Sequence, residues 1–273
     1  MTDQYAVIGN PIAFSKSPLI HASFAQATGQ EIEYRKIEGP LGRFEETVAA
    51  FRAAGGKGLN ITAPFKLDAF AYASEHSPAA LLAGAANAIK FDGERVLAEN
   101  FDGVGLVRDV VHNLGHALRG KRVLMLGAGG AARGALLPFL AEQPTELVIA
   151  NRNVDKAQAL ARLGASRGQV RGCGYDALVG ERFDLVFNAT SASLVGELPP
   201  VPATVFASAA LAYELAYGKG LTPFLRLAQG AGVRQLADGV GMLAEQAAEA
   251  FAWWRGVRPD TRAVIGQLAI ALV

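Results

Sequence analysis

The 273-residue sequence predicts an α/β protein whose second half forms a doubly wound parallel sheet. Three observations carry this prediction. The first is Val123-Leu-Met-Leu-Gly127-Ala128-Gly129-Gly130-Ala131-Ala-Arg133, an apolar strand that runs into a glycine-rich turn and opens a helix near Gly130. The second is a further apolar strand about twenty residues on, Glu146-Leu-Val-Ile-Ala150, which ends in Asn151-Arg152-Asn153 with Lys156 behind it. The third is the recurrence of apolar runs at 123–126, 147–150, 183–187, 211–217 and 233–236, with helical stretches between most of them.

The glycine turn sets the ligand class. Glycine lets the backbone bend and approach a pyrophosphate, and the helix start offers free N–H groups and a positive dipole end. A glycine turn by itself is weak evidence, and Arg152 by itself reads equally well as a solvated loop charge. Their order along the chain makes the case. The end of the second strand meets the adenosine ribose, where an NAD site places an Asp or Glu for the 2′-hydroxyl. Here an amide and a guanidinium stand there instead. Arg152 can grip a 2′-phosphate through paired hydrogen bonds, and Lys156 adds a point charge. Asp155, the nearest acid, lies too far along. NADP is the expected cofactor.

The first hundred residues alternate strand and helix. Residues 5–9 form an apolar run ended by Asn10-Pro11, and Ser17-Pro18 reads as an N-cap followed by proline at the first helical position. Gly29 is the expected helix stop. A strand is expected over 33–37, a helix over 44–54, and a strand over 58–62 that ends at Ala63-Pro64-Phe65-Lys66. Asp-Gly within Phe91-Asp-Gly-Glu94 favours a hairpin. A helix over 103–115 leads into the parallel sheet, and an amphipathic helix over 242–254 closes the chain.

Composition narrows the class further. A net charge of +1 gives no basic field for nucleic acid and no acidic tail. The one cysteine, Cys173, forms no intramolecular disulfide and suits a reducing compartment. The four histidines show no zinc-type spacing, so no metal is expected; His112 and His116 lack the intervening acid of a zinc helix. No apolar stretch reaches bilayer-spanning length, and the start of the chain lacks the basic and apolar segments of a signal peptide. A cytoplasmic protein without a membrane partner is expected.

Polar side chains gather at the expected strand ends, where open parallel sheets bind ligands. They are Asn10 with Ser15 and Ser17, Asn60 with Thr62 and Lys66, Asn87, Asn100 with Asp102, Asn188 with Thr190 and Ser191, and Asp238 with Gly239. Each singly reads as a turn or capping residue. Together they suit a polyhydroxylated small molecule, since hydroxyls and amides bind hydroxyls without net charge. Lys66 and Asp102 form the sharpest pair, against the plainer reading of a surface salt bridge. Hydride transfer at an alcohol carbon needs a group that moves the hydroxyl proton, and lysine can serve. A carboxylate beside it would hold and orient the ammonium.

At these residues the chain resembles the shikimate dehydrogenases. The matching motifs are Gly9-Asn-Pro-Ile-Ala13, Ser15-Lys-Ser-Pro18, Asn60-Ile-Thr-Ala-Pro-Phe-Lys66, Ala83-Gly-Ala-Ala-Asn87, Asp102-Gly-Val-Gly105 and the glycine turn. Asn151-Arg152, Asn188-Ala-Thr-Ser191, Thr222-Pro-Phe-Leu225 and Asp238-Gly-Val-Gly-Met-Leu-Ala-Glu-Gln-Ala-Ala248 follow in the family's order. The resemblance implies NADP-linked reversible reduction of 3-dehydroshikimate to shikimate, in a cleft between two α/β domains. It implies a substrate-binding domain over 1–101, a Rossmann-type NADP-binding domain over 102–238, and a C-terminal helical segment over 239–273 that returns to the first domain. Lys66 and Asp102 would be the catalytic pair. Ser15, Ser17, Thr62, Asn87, Asp102, Tyr217 and Gln246 would contact the substrate. The cofactor would meet Gly127, Ala128, Gly129, Gly130, Ala131, Asn151, Arg152, Asn153, Lys156 and Thr190, with Gly239 and Met242 bordering the nicotinamide. The assembly would be a monomer or a homodimer.

The chain departs from the family pattern at Phe14, Ala88, Phe101 and Asn153, where the family has histidine, threonine, threonine and threonine. Phe101 is the departure of most consequence. It either crowds the substrate beside Asp102, which is the favoured expectation, or fills an apolar niche shaped by Phe14 or Ala88. Two other functions remain in view: a quinate/shikimate enzyme with altered substrate or low turnover, and a non-catalytic NADP-binding regulator. Arg152 argues against NAD preference in the first, and retention of both Lys66 and Asp102 argues against the second.

Overall fold

The computed structural model describes residues 2–272; Met1 and Val273, the outer ends of the expected terminal domains, lie outside it. The chain divides into two compact units. One holds residues up to Gly105 together with Ala244–Gln267, and the other holds Leu106–Leu243 with the segment from Leu268 onward. The polypeptide therefore leaves the first unit, builds the second, and returns.

The first unit contains β1 (Asp3–Gly9), α1 (Ser17–Thr28), β2 (Ile32–Glu38), α2 (Phe44–Ala53), β3 (Gly56–Ile61), α3 (Lys66–Tyr72) and β4 (Glu75–His76). It continues through α4 (Pro78–Ala83), β5 (Ala88–Asp92), β6 (Arg95–Glu99) and the start of α5 (Asp102–Arg108). The sheet order is β2-β1-β3-β5-β6-β4, with β1, β2 and β3 parallel and β5 antiparallel to both its neighbours. The expected hairpin joins β5 to β6, with Gly93 at φ 58° in the turn. Ile8, Phe44, Val48, Leu59, Phe65 and Ile89 build the core of this unit.

Two local expectations change. Ser17 is not the N-cap of α1: Lys16 occupies that position, and Ser17 and Pro18 are helical. Lys16 has no capping side-chain oxygen, so Ser15 Oγ accepts the Ser17 N–H at 3.3 Å in its place. Residues 66–83, where the apolar pattern predicts no element, fold as α3, β4 and α4. Each is too short for periodicity to mark it. Capping chemistry marks only α4, where Ser77 Oγ accepts the Ala80 N–H at 3.0 Å and Pro78 opens the helix.

In the second unit α5 runs on through a π-helical turn, Asp109–Asn113. Then come β7 (Arg122–Leu126), α6 (Gly130–Ala141), β8 (Glu146–Ala150), α7 (Val154–Gly164), β9 (Val170–Cys173) and β10 (Leu185–Asn188). The remaining elements are β11 (Leu211–Glu214), α8 (Pro223–Gly230), β12 (Gln235–Asp238) and the start of α9 (Val240–Arg255), which from Ala244 belongs to the first unit together with α10 (Arg262–Leu268) up to Gln267. The six strands are all parallel in the order β12-β11-β10-β7-β8-β9, the doubly wound arrangement. Strand β9, which the apolar pattern passes over, contains Gly172 because a Cβ there would lie 2.3 Å from the Ala157 carbonyl of α7. The strand order reverses beside β7. Chains that leave β7 and β10 diverge there, which opens the ligand crevice of such sheets.

Candidate active site

In the first unit, Lys66 opens α3 directly after β3, and Asp102 opens α5 directly after β6. Lys66 Nζ donates to Asp102 Oδ2 at 2.5 Å, and the two side chains are 35% and 17% exposed. Asn87, buried just before β5, donates to Asp102 Oδ1 at 2.8 Å and to Gln246 Oε1 at 3.4 Å. Its own Oδ1 accepts the Phe101 N–H at 2.9 Å, so its amide orientation is set from both ends. Asn100 Oδ1 accepts the Asp102 N–H at 3.2 Å. Both carboxylate oxygens of Asp102 are thus held while the lysine remains partly open to solvent. Gln246 reaches this cluster because residue 105 is glycine: a Cβ there would stand 2.7 Å from the Gln246 backbone nitrogen.

The serines form a second group. Ser15 Oγ donates to Ser17 Oγ at 3.3 Å. Tyr34 Oη donates to Asn60 Oδ1 at 2.7 Å, and burial holds the Tyr34 phenol well above its usual range, opposed by a hydrogen bond from Ser17. Thr62 follows β3, with its methyl group where a side chain on Gly9 would have to go. Lys66, Asn87, Asp102 and Gln246 are therefore joined by hydrogen bonds, as are Ser15 and Ser17. Tyr217 belongs to the second unit and is 41% exposed.

Phe101 has an apolar setting. Its ring packs into an apolar cluster with Tyr5, Ala88, Ala250 and Trp254, and meets Trp253 edge-to-face at 5.7 Å. These contacts favour the niche reading, with Ala88 rather than Phe14 beside the ring. Ala88 is fully buried, whereas Phe14 is 86% exposed. A threonine at 88 would bring a second branch and a hydroxyl into this cluster.

In the second unit, Gly127 sits at φ 101°, a conformation only glycine takes at ease. Gly129 and Gly130 are exposed, and open space surrounds the position of a Cβ on either. Ala128 and Ala131 are half-buried beside them. The α6 N-terminus has no side-chain cap, which leaves its first N–H groups free for an anion. Arg152 and Lys156 are exposed, and neither has an ion-pair partner among the described residues. Asn151 Nδ2 donates to the Asn153 carbonyl at 2.9 Å, and Asn153 Oδ1 caps α7 by accepting the Lys156 N–H at 3.0 Å. These two asparagines shape the loop that presents Arg152. An uncapped helix start and unpaired cations at the next strand end fit a phosphorylated dinucleotide.

Across β7 from Arg152, Thr190 follows β10, and Gly239 and Met242 follow β12. A Cβ on Gly239 would stand 2.1 Å from the Leu215 carbonyl oxygen. The Met242 N–H donates to Tyr213 Oη at 3.3 Å, and that hydroxyl donates to buried Asp109 at 2.7 Å. Gly241 is required there, since a Cβ would lie 1.9 Å from Asp109 Oδ1. Asp109, Tyr213 and Glu214 are absent from the residues singled out in the sequence. Tyr213 and Glu214 are hidden inside an apolar run, and only the interruption of that run by an acid marks them. Among the described residues, no group of acids, cysteines and histidines could hold a metal ion, and no helix is long and apolar enough to cross a membrane.

A doubly wound sheet with a glycine turn, in a chain that also pairs a lysine with an aspartate, is the build of an α/β oxidoreductase. Three stretches match models of one such family. Residues 7–89 match the shikimate dehydrogenase substrate binding domain, 109–195 match shikimate / quinate 5-dehydrogenase, and 239–268 match the shikimate 5′-dehydrogenase C-terminal domain. The shikimate dehydrogenase (NADP(+)) of Nitrosospira multiformis is 57% identical over 272 residues, covering 100% of this chain and 99% of that protein. An Ael1 enzyme from Pseudomonas putida, seen in a crystal structure, is 65% identical with a TM-score of 0.96 and 100% of both chains covered. Shikimate 5-dehydrogenase from Thermus thermophilus in complex with NADP(H) and shikimate is 30% identical, with a TM-score of 0.84, 97% of this chain and 98% of that one covered. The chain belongs to the shikimate dehydrogenase family.

Proposed function

We propose that this protein catalyses the reversible NADP-linked reduction of 3-dehydroshikimate to shikimate in aromatic amino-acid biosynthesis. The observation that carries the reading is the Lys66–Asp102 hydrogen bond, with Asn87 and Gln246 tied to the same carboxylate. Bound NADPH supplies the hydride. Lys66 Nζ gives a proton to the oxygen that was the ketone, and takes it back in the oxidative direction. Asp102 keeps the ammonium aimed. Asn87, Gln246, Thr62, Ser15 and Ser17 offer uncharged hydrogen bonds for hydroxyls and the carboxylate. Gly127, Ala128, Gly129, Gly130 and Ala131 would border the pyrophosphate, while Arg152 and Lys156 would take the 2′-phosphate. Asn151, Asn153, Thr190, Gly239 and Met242 complete the cofactor contacts. We place the enzyme in the cytoplasm as a monomer or homodimer, its single cysteine needing no oxidising compartment.

The test is a steady-state assay of shikimate and quinate, each with NADP and with NAD. The expected outcome is highest kcat/KM for shikimate with NADP. Turnover with none of the four combinations would overturn the enzymatic reading in favour of a cofactor-binding protein.

A further inference from the structure

Strand β11 ends on Glu214, an ionisable residue with no exposed surface. Its carboxylate collects donors from three segments. Oε2 accepts from Asn188 Nδ2 at 2.9 Å, from Thr222 Oγ1 at 3.2 Å and from Ser193 Oγ. Oε1 accepts the Ala216 N–H at 3.3 Å. No lysine, arginine or histidine pairs with it among the described residues. Burial raises its affinity for a proton, and the four donors oppose that. A buried carboxylate without a counter-ion is a poor device for stability, because an apolar side chain avoids the desolvation cost. What it does provide is direction.

Asn188 passes that direction on. With its Nδ2 engaged by Glu214, its Oδ1 must face the other way, where it accepts the Thr190 N–H at 3.1 Å and the Thr190 hydroxyl at 2.7 Å. A flipped amide would set oxygen against carboxylate and N–H against N–H, so Glu214 fixes one orientation. Thr190 stands against the glycine turn: a Cβ on Gly127 would lie 3.2 Å from its methyl carbon and 3.0 Å from the Ala189 carbonyl oxygen. In the sheet, β8 with Arg152 lies on one side of β7, and β10 and β11 lie on the other. A dinucleotide with its pyrophosphate at the turn and its 2′-phosphate at Arg152 must extend its other half toward β10 and β11.

We propose that Glu214 is a positioning residue for the nicotinamide half of the cofactor, acting through Asn188 on Thr190; this rests on the NADP reading above. A role in folding alone would weaken every ligand or none. Binding of NADP and of 2′,5′-ADP, which carries only the adenosine end, separates the two. Glu214→Gln should raise the NADP dissociation constant about tenfold, the size of one disrupted hydrogen-bonded contact. The 2′,5′-ADP constant should stay within about twofold. Glu214→Asp, which keeps the charge, should fall between wild type and Glu214→Gln for NADP. If Glu214→Gln does not fold, Asn188→Ala cuts the link to Thr190 while leaving Glu214 its other donors, and should give the same selective loss. Equal weakening of both ligands, or unchanged NADP binding in the folded variant, overturns the proposal. Wild-type protein that binds neither ligand would instead overturn the NADP reading itself.

Discussion

Lys66 is held by one short hydrogen bond to a carboxylate whose second oxygen is already occupied by Asn87. Removing either member of the pair therefore leaves the other without its geometry. Lys66→Ala and Asp102→Asn should each lower kcat by at least about 10²-fold, the contribution of a positioned proton-transfer group. The double variant should lose much less than the product of the two, since the residues act as one unit. Near-wild-type turnover in either single variant removes that residue from the reaction. In the proposed function Arg152 serves binding alone. Arg152→Ala should weaken NADP binding by about 1.5–3 kcal/mol, the range of a charge-assisted hydrogen bond, and leave NAD binding nearly unchanged. Calorimetric titration with both cofactors checks this, and an equal loss for each would move the 2′-phosphate elsewhere.

At the scale of elements, the junction of β6 with α5 shows why Phe101 departs from the family pattern. The backbone N–H of Phe101 is bonded to Asn87, and its ring packs with Trp253 and Ala88. Phe101→Thr should cost about 2 kcal/mol of stability through lost packing, with no gain in kcat/KM for shikimate. Paired melting and kinetic measurements decide it; a rise in kcat/KM without a fall in melting temperature would restore the crowding reading. The sequence made some elements plain and others not. Strands β7 and β8 are continuous apolar runs bounded by glycine and polar turns, so both they and the glycine turn were legible. Lys66 and Asp102 were legible as a pair because a lysine placed just after a strand and a proline is not a capping type, and a carboxylate stands at another strand end. Strands β4 and β9 and helix α3 are too short or too polar for a period to register. Glu214 was hidden because its meaning lies in side-chain donors 8 to 26 residues away in the chain, a pairing no local pattern carries. The direction in which Phe101 packs is likewise set by Trp253, far along the sequence.

For the whole molecule, the return of the chain is what completes the first unit. Helix α9 brings Phe251 and Trp254 back to α1, where His21 stacks on Tyr34 with ring centroids 4.1 Å apart and lies within 5.6 Å of Trp254. Trp254 also stacks on Tyr5 and donates its indole N–H to the Ile89 carbonyl at 3.1 Å. The result is a histidine with no exposed surface, among aromatic rings, and neither ring nitrogen has a well-aligned hydrogen-bond partner. Burial pushes its imidazole down to about 3, with Asn60 pulling weakly the other way. The folded state therefore keeps His21 neutral where an unfolded chain, with an ordinary value near 6.5, takes up a proton. Between those two values the unfolded state binds more protons, so stability is full above about pH 6.5 and declines as pH falls toward 3. The slope approaches about 1.4 kcal/mol per pH unit, giving a loss of about 2.5 kcal/mol at pH 4.5 from this group. Paired carboxylates also titrate below pH 5, so the test is a difference between proteins. Both tryptophans, Trp253 and Trp254, belong to the first unit, and their emission during urea unfolding reports that unit's stability directly. His21→Phe keeps an aromatic ring against Tyr34 and removes the titrating group. Its stability should decline less steeply than wild type between pH 7 and 4.5, whatever its starting value. Parallel curves for the two proteins would mean that His21 is protonated in the folded state as readily as in the unfolded one, and the sealed aromatic core would then be open to a proton after all.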